Sequence, residues 1–187
     1  MSHDGTLDAK FNPLWRYAGM QFDDVANGAG LGAVFFTQYC PHRCPGCQNQ
    51  QTWTKDGGRP FSPSDLERLM NYYDEVPFAS RLTVSGGDPL STPDLVYYLV
   101  SEFKERFHHR IVWIYTGFTL EELFSPEIPE QERVKTKEIL KLCDVLVDGP
   151  YIQNQRDITL KFRGSSNQRM IDIKRTAYSG KITLYRG

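Results

Sequence analysis

Residues Leu31 to Asn49 read LGAVFFTQYCPHRCPGCQN, an apolar run that passes without a break into three cysteines. Leu31–Gln38 is short, continuous and β-rich, the pattern of a buried strand. The loop behind it carries Cys40, Cys44 and Cys47 in the spacing Cys-x3-Cys-x2-Cys. Pro41 and Pro45 follow two of these cysteines and steer both toward extended backbone. Gly46, beside Cys47, allows close backbone approach to whatever the thiols hold.

Outward from that strand, helical and strand patterns alternate. FSPSDLERLMNYYDEV (61–76) predicts a helix capped by Ser62 or Ser64, with Pro63 near its first turn. SRLTVSGG (80–87) predicts a strand ending in a glycine turn. TPDLVYYLVSEFKERF (92–107) follows as an amphipathic helix, with Thr92 as N-cap and Pro93 at its first position. RIVWIYTG (110–117) reads as a strand, PEQERVKTKEILKLC (129–143) as a helix and DVLVDGP (144–150) as a strand again. Beyond Tyr151, DITLKF (157–162) and RMIDI (169–173) alternate like half-exposed strands around the polar turn RGSSNQ. The alternation predicts an α/β fold of βαβ units with a mainly parallel sheet. Ligands of such sheets gather at the carboxyl ends of the strands, so the cysteine loop and the three later turns should line one mouth. No repeat or linker divides the chain, which predicts a single domain over 1–187, with its core over about 14–175.

A chain of 187 residues, 40% hydrophobic and 24% charged, has the balance for one sizeable core. Its formal net charge of −1 gives no argument for a nucleic-acid or anionic-membrane partner. MSHDGTLDAKFNPLW (1–15) lacks the apolar centre of a secretory signal. No run approaches the roughly 18 apolar residues of a membrane span. These features predict a cytoplasmic protein, where clustered thiols bind metals more often than they form disulfides.

Structural zinc sites close a tetrahedron with four ligands, and the loop supplies three. His42, within the loop, and the distant Cys143 are the candidates for a fourth. Cys143 ends an amphipathic helix and reads as a buried small apolar residue, and His42 as a polar loop residue or outer donor. A [4Fe–4S] cluster also takes four cysteines as a rule; held by three, it keeps one iron open for a substrate or cofactor.

This loop resembles the signature of the radical S-adenosylmethionine superfamily. DDVANGAG (23–30), CPHRCPGCQNQQTW (40–53), SGGDPL (85–90), YTG (115–117), VLVDGPY (145–151) and FRGSSNQR (162–169) further resemble one family within it. That family is the activating enzymes of anaerobic (class III) ribonucleoside-triphosphate reductase. The resemblance implies a shortened, open (β/α) partial barrel. It implies a [4Fe–4S] cluster on Cys40, Cys44 and Cys47, with S-adenosylmethionine on the open iron. Cofactor contacts are implied at Gly46, Cys47, Gln48 and Asn49, at Ser85, Gly86, Gly87 and Asp88, and at Thr116 and Gly117. The chemistry is carried by cluster and cofactor, not by a catalytic side chain. The implied partners are the reductase, whose glycine would lose a Cα hydrogen, and a reduced flavodoxin-like electron donor.

The chain departs from the family pattern at three places. Gly32 stands where relatives carry an arginine, and Gly46 and Gln48 stand where an aromatic is expected to pack the adenine; Tyr39 and Trp53 are substitutes. GAGLG (28–32) precedes a strand and so is not a dinucleotide loop. Arg163, Asn167, Gln168 and Arg169 read either as contacts to a cofactor or partner or as a solvated turn, and Asp148 either as a mouth residue or as a turn former. Alternative functions are an activase of another glycyl radical enzyme, a small radical enzyme acting on a metabolite, and a zinc or electron-carrier module.

Overall fold

The buried strand that opens the argument is β2, Gly32–Thr37, and it lies near the middle of the sheet. The computed structural model describes residues 11–186, so the first ten residues of the stretch read as lacking a signal lie outside the described residues. Before β2 comes β1 (Arg16–Asp24), and after the cysteine loop come β3 (Arg59–Pro60), α1 (Pro63–Glu75) and β4 (Arg81–Gly86). The chain continues through α2 (Pro93–Arg106), β5 (Ile111–Tyr115), α3 (Leu120–Leu123), α4 (Glu130–Leu142), β6 (Val145–Asp148), β7 (Arg169–Asp172) and α5 (Ile173–Ser179). The seven strands run in the order β3-β1-β2-β4-β5-β6-β7. The inner four, β2, β4, β5 and β6, pair parallel, while β1, β3 and β7 pair antiparallel to their neighbours. The fold is α/β with an open sheet.

Helix α1 starts where the sequence expects, and Ser62 is the cap. Its Oγ accepts the Asp65 N–H at 3.3 Å, and the Asp65 carboxylate accepts the Ser62 N–H at 3.0 Å. Such a reciprocal cap contributes about 1 kcal/mol. Thr92 stands at the N-cap of α2, but its hydroxyl donates back to the Pro89 carbonyl at 3.4 Å and caps no helix amide, so Pro93 carries the start there. Alternate residues of β5 face opposite ways. Val112 and Ile114 join Leu82, Val84, Leu99, Phe103 and Ile139 in the main core, to which α1, α2 and α4 all contribute. Trp113 joins Val145 and Val147 in a smaller cluster on the other face, closed by Phe162, Met170 and Tyr185.

Two expectations fail. DITLKF is not a strand but a run of turns. The Asp157 carboxylate accepts both the N–H and the hydroxyl of Thr159, at 2.8 and 2.6 Å, and Phe162 adopts φ 59°. Local side-chain hydrogen bonds replace the ladder a strand would need. RMIDI is a strand only to Asp172, whose side chain accepts the Arg175 N–H at 2.9 Å and caps α5.

GAGLG lies at the amino end of β2, away from the cysteines. It wraps the guanidinium of Arg81, which is fully buried and donates to Asp24 Oδ1 at 2.8 Å and to the Asp24 carbonyl at 2.7 Å. A Cβ on Gly32 would lie 1.9 Å from the Arg81 carbonyl oxygen, so the arginine expected at position 32 has no room. The buried cation at this end of the sheet comes from β4 instead.

Candidate functional site

The four parallel strands end at one edge of the sheet, and the cysteine loop, Ser85–Asp88, Thr116–Gly117 and the turn after Asp148 all leave from that edge. Cys40, Cys44 and Cys47 are free thiols, each partly exposed. Positive φ at Tyr39 (84°), Arg43 (47°) and Gly46 (75°) bends the loop back on itself between the cysteines. The Asn49 N–H donates to Cys47 Sγ at 3.3 Å. Burial pushes the Cys40 thiol up from its ordinary value, while the N–H groups of His42 and Arg43 pull against that rise. Burial also raises the Cys44 thiol, opposed there by the N–H groups of Tyr151, in the turn after β6, and of Cys44 itself.

Asp88 organises the mouth. It is buried, and its carboxylate accepts from the Leu90 N–H (2.9 Å), the Thr116 hydroxyl (3.0 Å), the Gly117 N–H (2.8 Å) and His42 Nε2 (2.7 Å). One side chain thus joins the cysteine loop, the glycine turn after β4 and the turn after β5. His42 lies against the ring of Phe118, with centroids 4.3 Å apart, and over Gly117, where a Cβ would come within 2.4 Å of His42 Cδ2. Gly86 (φ 101°) is packed on β2, where a Cβ would lie 2.7 Å from Phe36 Cα, and Gly87 on the entry to the cysteine loop. A Cβ on Gly87 would lie 2.3 Å from the Tyr39 carbonyl oxygen. The N–H groups of Gly87 and Asp88 donate to the carbonyls of Thr37 and Tyr39 at 2.9 and 2.8 Å, and the Ser85 carbonyl accepts the Thr37 hydroxyl at 3.1 Å. The residues expected at the site lie in these loops or, for Ser85 and Gly86, at the carboxyl end of β4. Gln48 is exposed, and Asn49 fixes the loop exit through its carbonyl, which accepts the Thr52 N–H at 2.9 Å.

The remaining expectations resolve differently. Cys143 is buried in the core, with its Sγ 3.2 Å from the Val145 carbonyl, and burial raises its thiol strongly. His42 is turned to Asp88. Neither side chain is directed to serve as a fourth ligand. Gly46 holds φ 75°, a left-handed backbone that an aromatic residue rarely adopts, and the end of the Gln153 side chain lies over it. The Tyr39 ring is held under Lys55 Nζ at 4.6 Å and lines a cavity of about 310 Å³ with Trp15, Gln38 and Ser91.

RGSSNQR is neither a solvated turn nor a set of free contacts. Asn167 Nδ2 donates to the Pro150 carbonyl at 2.8 Å, Gln168 Nε2 to the Gly149 carbonyl at 3.1 Å, and Ser165 Oγ accepts the Ile152 N–H at 3.2 Å. Arg169 grips the buried Asp148 through Nε at 3.0 Å and Nη2 at 2.5 Å, and reaches Glu121 with Nη1 at 3.0 Å. Those hydrogen bonds hold the Arg169 guanidinium firmly in its charged form. The sequence signal was present in the motif itself, but its partners lie some twenty positions earlier in the chain.

The donor set suits an iron–sulfur cluster: three free, partly exposed thiols on one short loop in the spacing Cys-x3-Cys-x2-Cys. A family model described as a 4Fe-4S single cluster domain matches residues 26–171, so the chain is an iron–sulfur protein of that class. It is 33% identical over 149 residues to the anaerobic ribonucleoside-triphosphate reductase-activating protein of Escherichia coli (strain K12), covering 78% of this chain and 90% of that one. The corresponding protein of Vibrio cholerae serotype O1 is 35% identical over 148 residues, with coverages of 78% and 90%. That of Enterobacteria phage T4 is 34% identical over 149 residues, with coverages of 79% and 87%. The chain belongs to the family of anaerobic ribonucleoside-triphosphate reductase-activating proteins, and it is an activating enzyme with a 4Fe-4S domain. No helix among the described residues is long and apolar enough to cross a membrane.

Proposed function

We propose that this chain activates an anaerobic ribonucleoside-triphosphate reductase by radical S-adenosylmethionine chemistry. The observation that carries the reading is the mouth itself: three free cysteines stand on the strand edge from which the turns after β4, β5 and β6 also leave. Cys40, Cys44 and Cys47 would hold a [4Fe–4S] cluster with one iron open. When bound, the cluster would supply the electron for reductive cleavage of S-adenosylmethionine, and with it the radical chemistry that removes one Cα hydrogen from a glycine of the reductase.

The chain's own residues bind and orient. Asp88 fixes the cysteine loop through His42 and the third turn through Thr116 and Gly117, so the cofactor is offered a rigid floor. Gly46, Gln48, Asn49, Ser85, Gly86, Gly87, Thr116 and Gly117 line that floor. The sheet reads as part of a (β/α) barrel, because α1, α2 and α4 pack into one core on one face. Its open edges leave a lateral entrance for a partner loop, and a flavodoxin-like protein would deliver the electron.

The test is anaerobic reconstitution of the chain, reduction with S-adenosylmethionine present, and EPR of the cognate reductase. The expected result is about one cluster per chain, release of 5′-deoxyadenosine and a glycyl radical signal. Cys→Ala at position 40, 44 or 47 abolishes all three. A full cluster that never cleaves the cofactor overturns the enzyme reading, and a radical formed on another glycyl radical enzyme but not on the reductase reassigns the partner.

A further inference from the structure

Between β6 and β7 the run DITLKF (157–162) lies in a tightly bonded turn that the proposed chemistry leaves unused. Its foot is built into the fold. The Phe162 ring packs on buried Trp113 with centroids 5.4 Å apart, and the Phe162 carbonyl accepts the Tyr115 hydroxyl at 2.7 Å. Its sides are tied to the Ser165–Gln168 turn and to Gly164 before it: the Ser166 N–H donates to the Gln155 carbonyl at 2.9 Å, and the Asp157 N–H to the Gly164 carbonyl at 3.3 Å. The Asp157 carboxylate accepts the N–H and the hydroxyl of Thr159. A turn so bonded has little freedom left to lose. It nevertheless holds Ile158 out in water, 81% exposed, with the exposed cations Arg156 and Lys161 flanking it in sequence. Neither cation makes an ion pair among the described residues. The acid between them, Asp157, is engaged by Thr159. The same segment touches the cysteine loop, because the end of the Gln153 side chain lies over Gly46.

We infer that Arg156–Lys161 is a docking turn for the reductase, with Ile158 as its apolar anchor and Arg156 and Lys161 meeting an acidic surface around the pocket that receives it. The inference rests on the proposed function and names the surface through which that partner is held. An apolar side chain kept in water on a preordered turn gains burial at little ordering cost when a partner covers it. Cations without ion pairs give the partner's sign, since complementary charge steers encounter and fixes register. Reach decides between the reductase and the electron donor. Removal of a Cα hydrogen needs the reacting atoms about 3–3.5 Å apart, so the reductase must rest on the rim of the mouth. An electron can cross intervening protein, so its donor is under no such constraint.

The experiment uses the full chain, reconstituted anaerobically. Its affinity for the purified cognate reductase is measured by biolayer interferometry, and glycyl radical formation by EPR with dithionite as electron source. One variant is Ile158→Asp; a second combines Arg156→Glu with Lys161→Glu; Ile158→Val is the conservative control. The first two are expected to bind the reductase about tenfold more weakly and to need correspondingly more of it for half-maximal radical formation, while Ile158→Val binds as the parent does. Iron and sulfide content, urea midpoint and release of 5′-deoxyadenosine without reductase should match the parent throughout. Parent affinity in either of the first two variants overturns the inference. Weak binding accompanied by a lost cluster or a lower urea midpoint overturns it too, because the turn is then structural. So does a defect seen with reduced flavodoxin and absent with dithionite, which assigns the surface to the donor. The functional reading fails separately: a parent that binds the reductase through this turn and forms no glycyl radical keeps the docking surface and loses the chemistry.

Discussion

At the scale of single residues, Asp88 is the position on which the site depends most. Its two oxygens satisfy four donors from three loops, and buried donors left without acceptors are costly. Asp88→Ala is expected to destabilise the chain by on the order of 3 kcal/mol, read as a lower urea midpoint of the cluster-free protein. Gly117→Ala tests the neighbouring contact. The added methyl would meet the His42 ring, and the expected outcome is a lower iron and sulfide content per chain at unchanged secondary structure. The three cysteines were legible from spacing alone. The work of Asp88 was not, because SGGDPL reads equally well as ordinary turn chemistry and its partner His42 stands 46 positions earlier. Gly46 and Gly32 likewise read as missing side chains, whereas Gly46 holds a left-handed φ of 75° and the Arg81 carbonyl occupies the space a side chain at position 32 would need.

At the scale of elements, periodicity and caps located α1, α2, α4 and the four parallel strands. The carboxyl edge of those strands is where the site residues gather. What escaped were the elements whose patterns are broken or locally satisfied. β1 is interrupted by Gly19 and by shifts of register against β2, so its sequence shows no clean alternation. DITLKF alternates well, yet the Asp157 side chain captures the backbone first. The joint between β1 and β4 rests on one buried ion pair, Asp24 with Arg81. Removing one partner leaves an uncompensated charge in the interior, so Asp24→Ala is expected to cost roughly 3–5 kcal/mol. Chemical denaturation measures this, and a loss below about 1 kcal/mol would show that water reaches the guanidinium there.

For the whole molecule, acid is the expected weak point. Burial works against ionisation at Asp24, Asp65 and Asp144, but hydrogen bonds outweigh it and hold all three below the ordinary carboxylate value of 3.8. The donors are Asn27 and Arg81 for Asp24, Ser62 and Tyr17 for Asp65, and Lys104 and Lys174 for Asp144. Hydrogen bonds from Arg169 do the same for Glu121, whose ordinary value is 4.5. Folded values below unfolded ones contribute stability that is fully present at neutral pH and is lost as pH falls through the carboxylate range. The urea midpoint should therefore be nearly flat from pH 7 to 5 and drop below about pH 4. A midpoint that stays flat to pH 3 would remove these carboxylates from the account. The mouth has one more consequence, in the order of its making. Cys40 to Cys47 leave the ribosome long before Asp88, and longer still before the Ser165–Gln168 turn that backs Tyr151. A nascent chain can therefore display its thiols before it owns the walls that orient them. Closing so long a loop is among the late and entropically expensive events of folding. On the proposed reading, a cluster at these cysteines is expected to be loaded after folding, once those walls are in place.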